Sequence, residues 1–85
     1  MKIIKRSGSE ATFDEAKIVA AIQKANASVI DYEKLTDEQI EEIAANVETA
    51  CENMKRSPSV EEIQDMVENQ LMNQRAFTVA RNYIT

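Results

Sequence analysis

The sequence predicts a mainly helical α+β domain in which an N-terminal β-hairpin forms a lid on a small four-helix bundle. Three observations indicate this fold class. Residues 7–9, Ser-Gly-Ser, form a turn signal between two short segments that contain β-branched or aromatic residues. Apolar residues then recur at helical spacing from residue 18 onwards. The 85 residues include only one Gly and one Pro, which leaves little sequence for irregular structure.

The first structural unit is the hairpin with the helix that follows it. Residues 2–6 are expected to pair with residues 10–13, and Gly8 can supply the positive φ of the turn. Asp14 is a favourable N-cap, after which the first helix is expected from Glu15 to Ala27. The inward face of this helix is the apolar set Ile18, Ile22 and Ala25.

A capping box predicts the start of the second helix. Residues 28–35 mix polar and turn-forming types and predict a connection, after which Thr36 and Gln39 have the capping-box spacing. The helix is expected to continue to about Lys55. Its apolar stripe is Ile40, Ile43, Ala44, Val47, Ala50, Cys51 and Met54.

The last two helices follow the single proline. Residues 56–58 end the second helix, and Ser59 with Glu62 forms another capping box. The third helix has the inward residues Val60, Ile63, Val67 and Leu71. Asn73 interrupts this pattern, and the spacing of Phe77, Ala80 and Ile84 predicts a fourth helix that continues to the last residues. Since no C-cap glycine follows, we expect residues 1–85 to be a single domain taken from a longer chain.

Composition excludes several classes of function. A net charge of −5 argues against nucleic-acid binding of the usual basic kind. No segment approaches the ~20 apolar residues that span a membrane, and no secretory signal follows Met1, so a cytoplasmic location is expected. With no His and a lone Cys51, the sequence predicts no catalytic residue and no metal site.

The charge is unevenly distributed along the chain. Residues 1–26 contain five cations and three anions, whereas residues 27–85 contain five cations and twelve anions. The N-terminal part is therefore positive on an acidic protein, as expected of a small anion-binding site. The cations next to the predicted turn and first helix are Lys5, Arg6 and Lys17, and a helix N-terminus also favours an anion.

These residues predict a polyphosphate site with an adjacent apolar slot. Ile3, Phe13 and Ile18 are close in sequence and suit the flat face of a purine. Asp14 can accept a hydrogen bond from an exocyclic amine or a ribose hydroxyl, although capping the helix is its simpler role. The alternative is a solvated hairpin, with Phe13 and Ile18 in the core and the lysines in water. No glycine-rich phosphate loop of the Walker type is present.

The spacing of these residues resembles the start of the ATP-cone family. The matching positions are Ile3, Lys5, Arg6, Gly8, Phe13, Asp14, Lys17, Ile18, Ala21 and Ile22. The stretches "SPSVEEIQDMVENQLM" and "VARNYI" are similar to the third and fourth helices of the same family, so the resemblance covers essentially the whole chain. Ser7 stands where the family usually has Asp or Asn.

The resemblance implies a regulatory nucleotide-binding domain without catalytic activity. ATP-cones bind ATP as activator and dATP as inhibitor, mostly at the N-terminus of ribonucleotide reductase catalytic chains, and act through oligomer state or access to the active site. By position, the phosphate contacts would be Lys5, Arg6 and Lys17. The nucleoside would be lined by Ile3, Phe13, Asp14 and Ile18, with Gln64 of the third helix also at the pocket. Mg²⁺ is expected to arrive with the triphosphate.

The parent protein has more than one candidate. The opening "MKIIKR" most resembles an anaerobic (class III) ribonucleoside-triphosphate reductase, and an aerobic class I reductase is second. The repressor of reductase genes is disfavoured because a zinc ribbon precedes its cone. The partners implied are ATP or dATP and the catalytic domain of the parent reductase, with oligomerisation through the cone and no nucleic acid or membrane.

A different class of function is a ligand-free helical protein-interaction module. Its adaptable surface would be Met54, Met66, Met72 and Phe77. Residues of these types at helical spacing are more often in a core.

Overall fold

A computed structural model describes residues 1–84, and it confirms the predicted fold class. A two-stranded antiparallel hairpin precedes four helices and a short 3-10 helix, Asp31–Glu33. The strands are β1 (Lys2–Ile4) and β2 (Glu10–Thr12), and the helices are α1 (Glu15–Asn26), α2 (Asp37–Glu52), α3 (Val60–Asn73) and α4 (Phe77–Ile84). No helix within residues 1–84 combines the length and apolar character needed to cross a membrane.

The hairpin is fixed to the start of α3 by its backbone. Ile3 pairs with Ala11, and Gly8 closes the turn with a φ of 88°. The Ile4 N–H donates to the carbonyl of Pro58 at 2.9 Å, and a parallel bridge links Ile4 with Ser59. The strands are shorter than expected because the chain leaves regular pairing after Ile4.

The helices begin where the sequence places their caps. Asp14 Oδ1 accepts from the Ala16 N–H at 3.0 Å at the start of α1. Both predicted capping boxes are present: Thr36 with Gln39, and Ser59 with Glu62. These bonds join neighbouring residues, so the local sequence suffices to predict them.

Helix α2 ends earlier than predicted. Its last residue is Glu52, and the C-cap is Asn53 rather than a residue near Lys55. Ala50, which we placed on the apolar stripe, is exposed. The core stripe of α2 consists of Ile40, Ile43, Ala44, Val47 and Cys51, all buried.

The predicted fourth helix is present, but only one of the three apolar residues that indicated it is buried. Val79 and Ala80 are buried, whereas Phe77 is 44% exposed and Ile84 is 62% exposed. Phe77 is the first residue of this short helix and lies beside Arg75, whose guanidinium is 5.4 Å from the ring centroid. Phe77 therefore contacts a surface cation and remains partly exposed.

The connection between α1 and α2 is anchored at both ends. Val29 and Leu35 are buried in the core. The buried Asn26 amide bonds Leu35 twice, donating to its carbonyl and accepting from its N–H, each at 3.0 Å. Polar atoms of a buried residue are thereby satisfied, which keeps the connection against the bundle.

Candidate functional site

A cavity of about 320 Å³ lies between the hairpin, α1 and the start of α3. Among its lining residues are seven of the eight predicted site residues: Ile3, Lys5, Phe13, Asp14, Lys17, Ile18 and Gln64. We call this the first cavity. Its walls are largely apolar, and its two lysines come from the chain just after β1 and from the first turn of α1.

The fold explains how distant residues reach the first cavity. Phe13 directly follows β2, and its N–H donates to the Met1 carbonyl at 2.8 Å, which holds the end of the hairpin. Lys17 and Ile18 come one turn into α1. Gln64 lies in α3, which the Ile4–Pro58 backbone bond holds against the hairpin.

The start of α1 has fewer free backbone N–H groups for binding an anion than the sequence suggested. Asp14 Oδ1 takes the Ala16 N–H, and the Asp14 carbonyl accepts from the Lys17 N–H at 3.1 Å. Two of the first amides are therefore already bonded. The helix dipole and the Lys17 ammonium remain as the favourable features for a negative ligand.

Arg6 does not line the first cavity. It borders a second cavity of about 210 Å³, together with the acidic residues Asp65 and Glu68 of α3. Arg6 Nε donates to Glu61 Oε2 at 2.8 Å. The pKa of Glu61 lies below its ordinary value, because the carboxylate accepts from its own backbone N–H and then from Arg6. The structure brings together Lys5 and Lys17 but holds Arg6 on α3.

Sequence reasoning missed several residues of the first cavity. The additional lining residues are Ala11, Thr12, Ala21, Val60, Ile63 and Tyr83. Tyr83 is the most informative of them, because it also borders the second cavity and a third one of about 650 Å³. Burial raises the pKa of its phenol. Its spacing of four and three from Val79 and Ala80 is the signal that would have placed it on the inner face of α4.

The described residues offer no site for a resident metal ion. Within residues 1–84, no group of three or more His, Cys, Asp or Glu side chains is arranged to hold one. Cys51 is buried, and its thiol lies 3.8 Å from the Met66 sulfur. Burial raises the pKa of this thiol, which disfavours the reactive thiolate.

Comparison with known proteins gives relatives along the whole chain. The sequence is 34% identical over 92 aligned positions to the ribonucleoside-diphosphate reductase subunit alpha of Chlamydia trachomatis, covering 99% of this chain and 9% of the relative. It is 40% identical over 88 positions to the vitamin B12-dependent ribonucleoside-diphosphate reductase of Thermoplasma acidophilum, covering 98% of this chain and 11% of the relative. The chain thus spans about a tenth of the length of these relatives.

The family match extends over the full sequence. Residues 1–85 match the ATP cone domain, in agreement with the hairpin followed by four helices. The chain therefore belongs to the ATP-cone family.

Proposed function

We propose that this domain binds ATP or dATP in the first cavity and thereby regulates the overall activity of a ribonucleotide reductase. One observation carries the proposal: Lys5 and Lys17 border the same cavity as the apolar residues Ile3, Phe13 and Ile18. A nucleotide needs this combination, because its base is flat and largely apolar while its phosphates are strongly anionic. The named relatives support the reductase context.

In this proposal the two ends of the nucleotide meet different walls. The adenine lies against Ile3, Phe13 and Ile18, and Asp14 and Gln64 supply polar atoms beside it. The phosphates lie toward Lys5 and Lys17, with which they can form charge-assisted hydrogen bonds. Bonds of this kind are stronger than those between neutral groups. Mg²⁺ would travel with the triphosphate, since it is usually held by phosphate oxygens and few protein ligands.

The parent enzyme is part of the proposal. The relatives named above are a ribonucleoside-diphosphate reductase subunit and a B12-dependent reductase. The opening "MKIIKR" favours an anaerobic class III parent, and a class I reductase is the alternative. In either case the cone would transmit its nucleotide state to the catalytic domain through oligomer state or access to the active site.

A ligand-free interaction module is the second candidate function. Exposed Met72 and Phe77 favour it, since large apolar side chains on a surface suit a protein contact. Met66, by contrast, packs against the core. The exposed pair is compatible with either function.

Isothermal titration calorimetry of the 85-residue domain with ATP and dATP tests the proposal. Binding of both nucleotides at one site, competed by each other, is the expected result. The absence of binding heat at millimolar nucleotide, together with an unchanged melting temperature, would reject the nucleotide site and leave the interaction module.

A further inference from the structure

The Arg6–Glu61 ion pair joins the hairpin turn to the first turn of α3. Arg6 Nε and Glu61 Oε2 are 2.8 Å apart, and the two side chains are 77% and 49% exposed. Neither residue lines the first cavity. The adjacent Lys5 does line it, so these two consecutive cations of the turn border different cavities.

The surroundings of Arg6 are unfavourable for a phosphate. Asp65 and Glu68 border the second cavity with it, and Glu61 accepts a hydrogen bond from its Nε. A polyphosphate entering this cavity would meet two carboxylates, Asp65 and Glu68, and one cation that is already paired with Glu61. In this position Arg6 does not line the first cavity, so it can assist a phosphate there only by leaving Glu61 and turning toward that cavity.

Such a movement takes Arg6 from one cavity to an adjoining one. The first and second cavities are neighbours, since both are bordered by Gln64 and Tyr83. Arg6 lies beyond the end of β1, and its side chain is mostly exposed, so its rotation breaks no core packing. The ion pair is the interaction that opposes the rotation, and an exposed pair of this kind is weak enough to exchange.

We propose that Glu61 is a specificity-determining residue that competes with the terminal phosphates of the nucleotide for Arg6. This inference rests on the proposed function. A ligand with a long phosphate chain reaches Arg6 and displaces Glu61, whereas a short one leaves the ion pair intact. Glu61 thus sets both the affinity for triphosphates and their advantage over monophosphates.

The test measures ATP and AMP affinity in four proteins: the wild type, Glu61→Gln, Arg6→Gln and the double variant. Glu61→Gln should raise ATP affinity about two- to fivefold, the range for releasing an exposed ion pair, and leave AMP affinity nearly unchanged. In the Arg6→Gln background, Glu61→Gln should have no effect, because coupled residues are not additive.

One control variant and one independent readout separate this effect from a general gain in positive charge. Glu38→Gln removes the corresponding first-turn acid of α2, away from the three cavities, and should leave ATP affinity unchanged. Nuclear magnetic resonance gives an independent readout. The Arg6 Nε–H signal should shift when ATP is added and stay in place with AMP.

Each result decides the matter. Equal or weaker ATP binding by Glu61→Gln, a gain that persists without Arg6, or an Arg6 signal insensitive to ATP overturns the inference while the nucleotide site stands. Failure of the wild-type domain to bind ATP overturns both the site and the inference.

Discussion

Lys17 is the residue whose loss should most directly separate binding from folding. It borders the first cavity and is exposed, so its charge is available to a ligand. Lys17→Ala should weaken ATP binding by about 1.5–3 kcal/mol, the range for hydrogen bonds to charged groups. The free energy of unfolding should change little, because exposed charges contribute little to stability. Calorimetric titration and urea denaturation measure the two quantities.

The matched control for this variant is Lys34→Ala. Lys34 lies in the connection between α1 and α2, where its Nζ is 3.6 Å from Asp31 Oδ1. It lines none of the three cavities. The Lys34→Ala variant should bind ATP with the same affinity as the wild type, within experimental error. If Lys17→Ala and Lys34→Ala behave alike, the phosphates do not lie at the start of α1.

At the scale of single residues, the sequence predicted which side chains line the first cavity better than it predicted their bonding partners. Lys5, Phe13 and Lys17 line the first cavity because they follow one another through the hairpin and α1, where local geometry fixes their spacing. The partner of Arg6 is 55 residues away in sequence. Its position depends on how the hairpin docks on α3, which no local pattern encodes.

Among the elements, α3 has the most heavily bonded start. Glu62 accepts from Arg56 Nη1 at 2.8 Å and from Nη2 at 2.6 Å, and also from the Ser59 N–H at 2.9 Å. These bonds, with Arg56 the largest contributor, lower the pKa of Glu62 to about 2. The pKa is therefore depressed in the folded protein relative to about 4.3 for an unperturbed glutamate.

This depression predicts how stability depends on pH. The ionised Glu62 stabilises the fold above pH ~4.3, and this contribution is lost as the pH falls toward 2. Wild type should be more stable than Glu62→Gln at pH 7, and the difference should narrow below pH ~4.3 and vanish below pH 2. Gln is compatible with a capping box, so this comparison isolates the charge. Urea denaturation at each pH gives the difference.

Arg56→Gln provides the reciprocal variant. Its stability difference from wild type should narrow over the same pH interval, since protonated Glu62 no longer binds the guanidinium as an anion. A difference that stays constant from pH 7 to pH 2 would show that the charge of Glu62 contributes nothing to the effect of Arg56 on stability.

The first residues of the helices could be predicted from the sequence more accurately than their last residues. Asp14, Thr36 and Ser59 cap helices through bonds to residues two or three positions away. The end of α2 lacks such a signal, because Pro58 lies six residues beyond Glu52. The attachment of β1 to residues 58–59 was not foreseen, since it forms only when hairpin and bundle meet.

For the whole molecule, ligand binding and folding are linked. A domain of this size buries a limited core, and a ligand that binds only the folded state adds RT ln(1 + [L]/Kd) to its stability. Nucleotide at about 100 times Kd should contribute ~2.7 kcal/mol and raise the melting temperature by several degrees. A thermal scan that is insensitive to millimolar ATP and dATP would contradict this. Nucleotide-free buffer with matched Mg²⁺ and ionic strength is the control.

The charge distribution of the whole molecule predicts a graded response to phosphate number. The net charge is −5, so a polyanion is repelled by most of the surface and attracted only near the cations of the hairpin and α1. Affinity should fall from ATP to ADP to AMP, because each lost phosphate removes charge from the ligand end that faces Lys5 and Lys17. The base should matter separately, since the apolar slot favours adenine over a pyrimidine.

Salt distinguishes this electrostatic origin from simple apolar burial. Lys5 and Lys17 are exposed, and screening acts over ~8–10 Å at physiological ionic strength. Raising the salt concentration should therefore weaken ATP binding more than AMP binding and leave adenosine binding nearly unchanged. Competition titrations with ATP, AMP, adenosine and CTP at two salt concentrations measure all these differences. If adenosine bound as tightly as ATP, or CTP competed equally, the lysines would be ordinary surface charges and the first cavity would not be a nucleotide site.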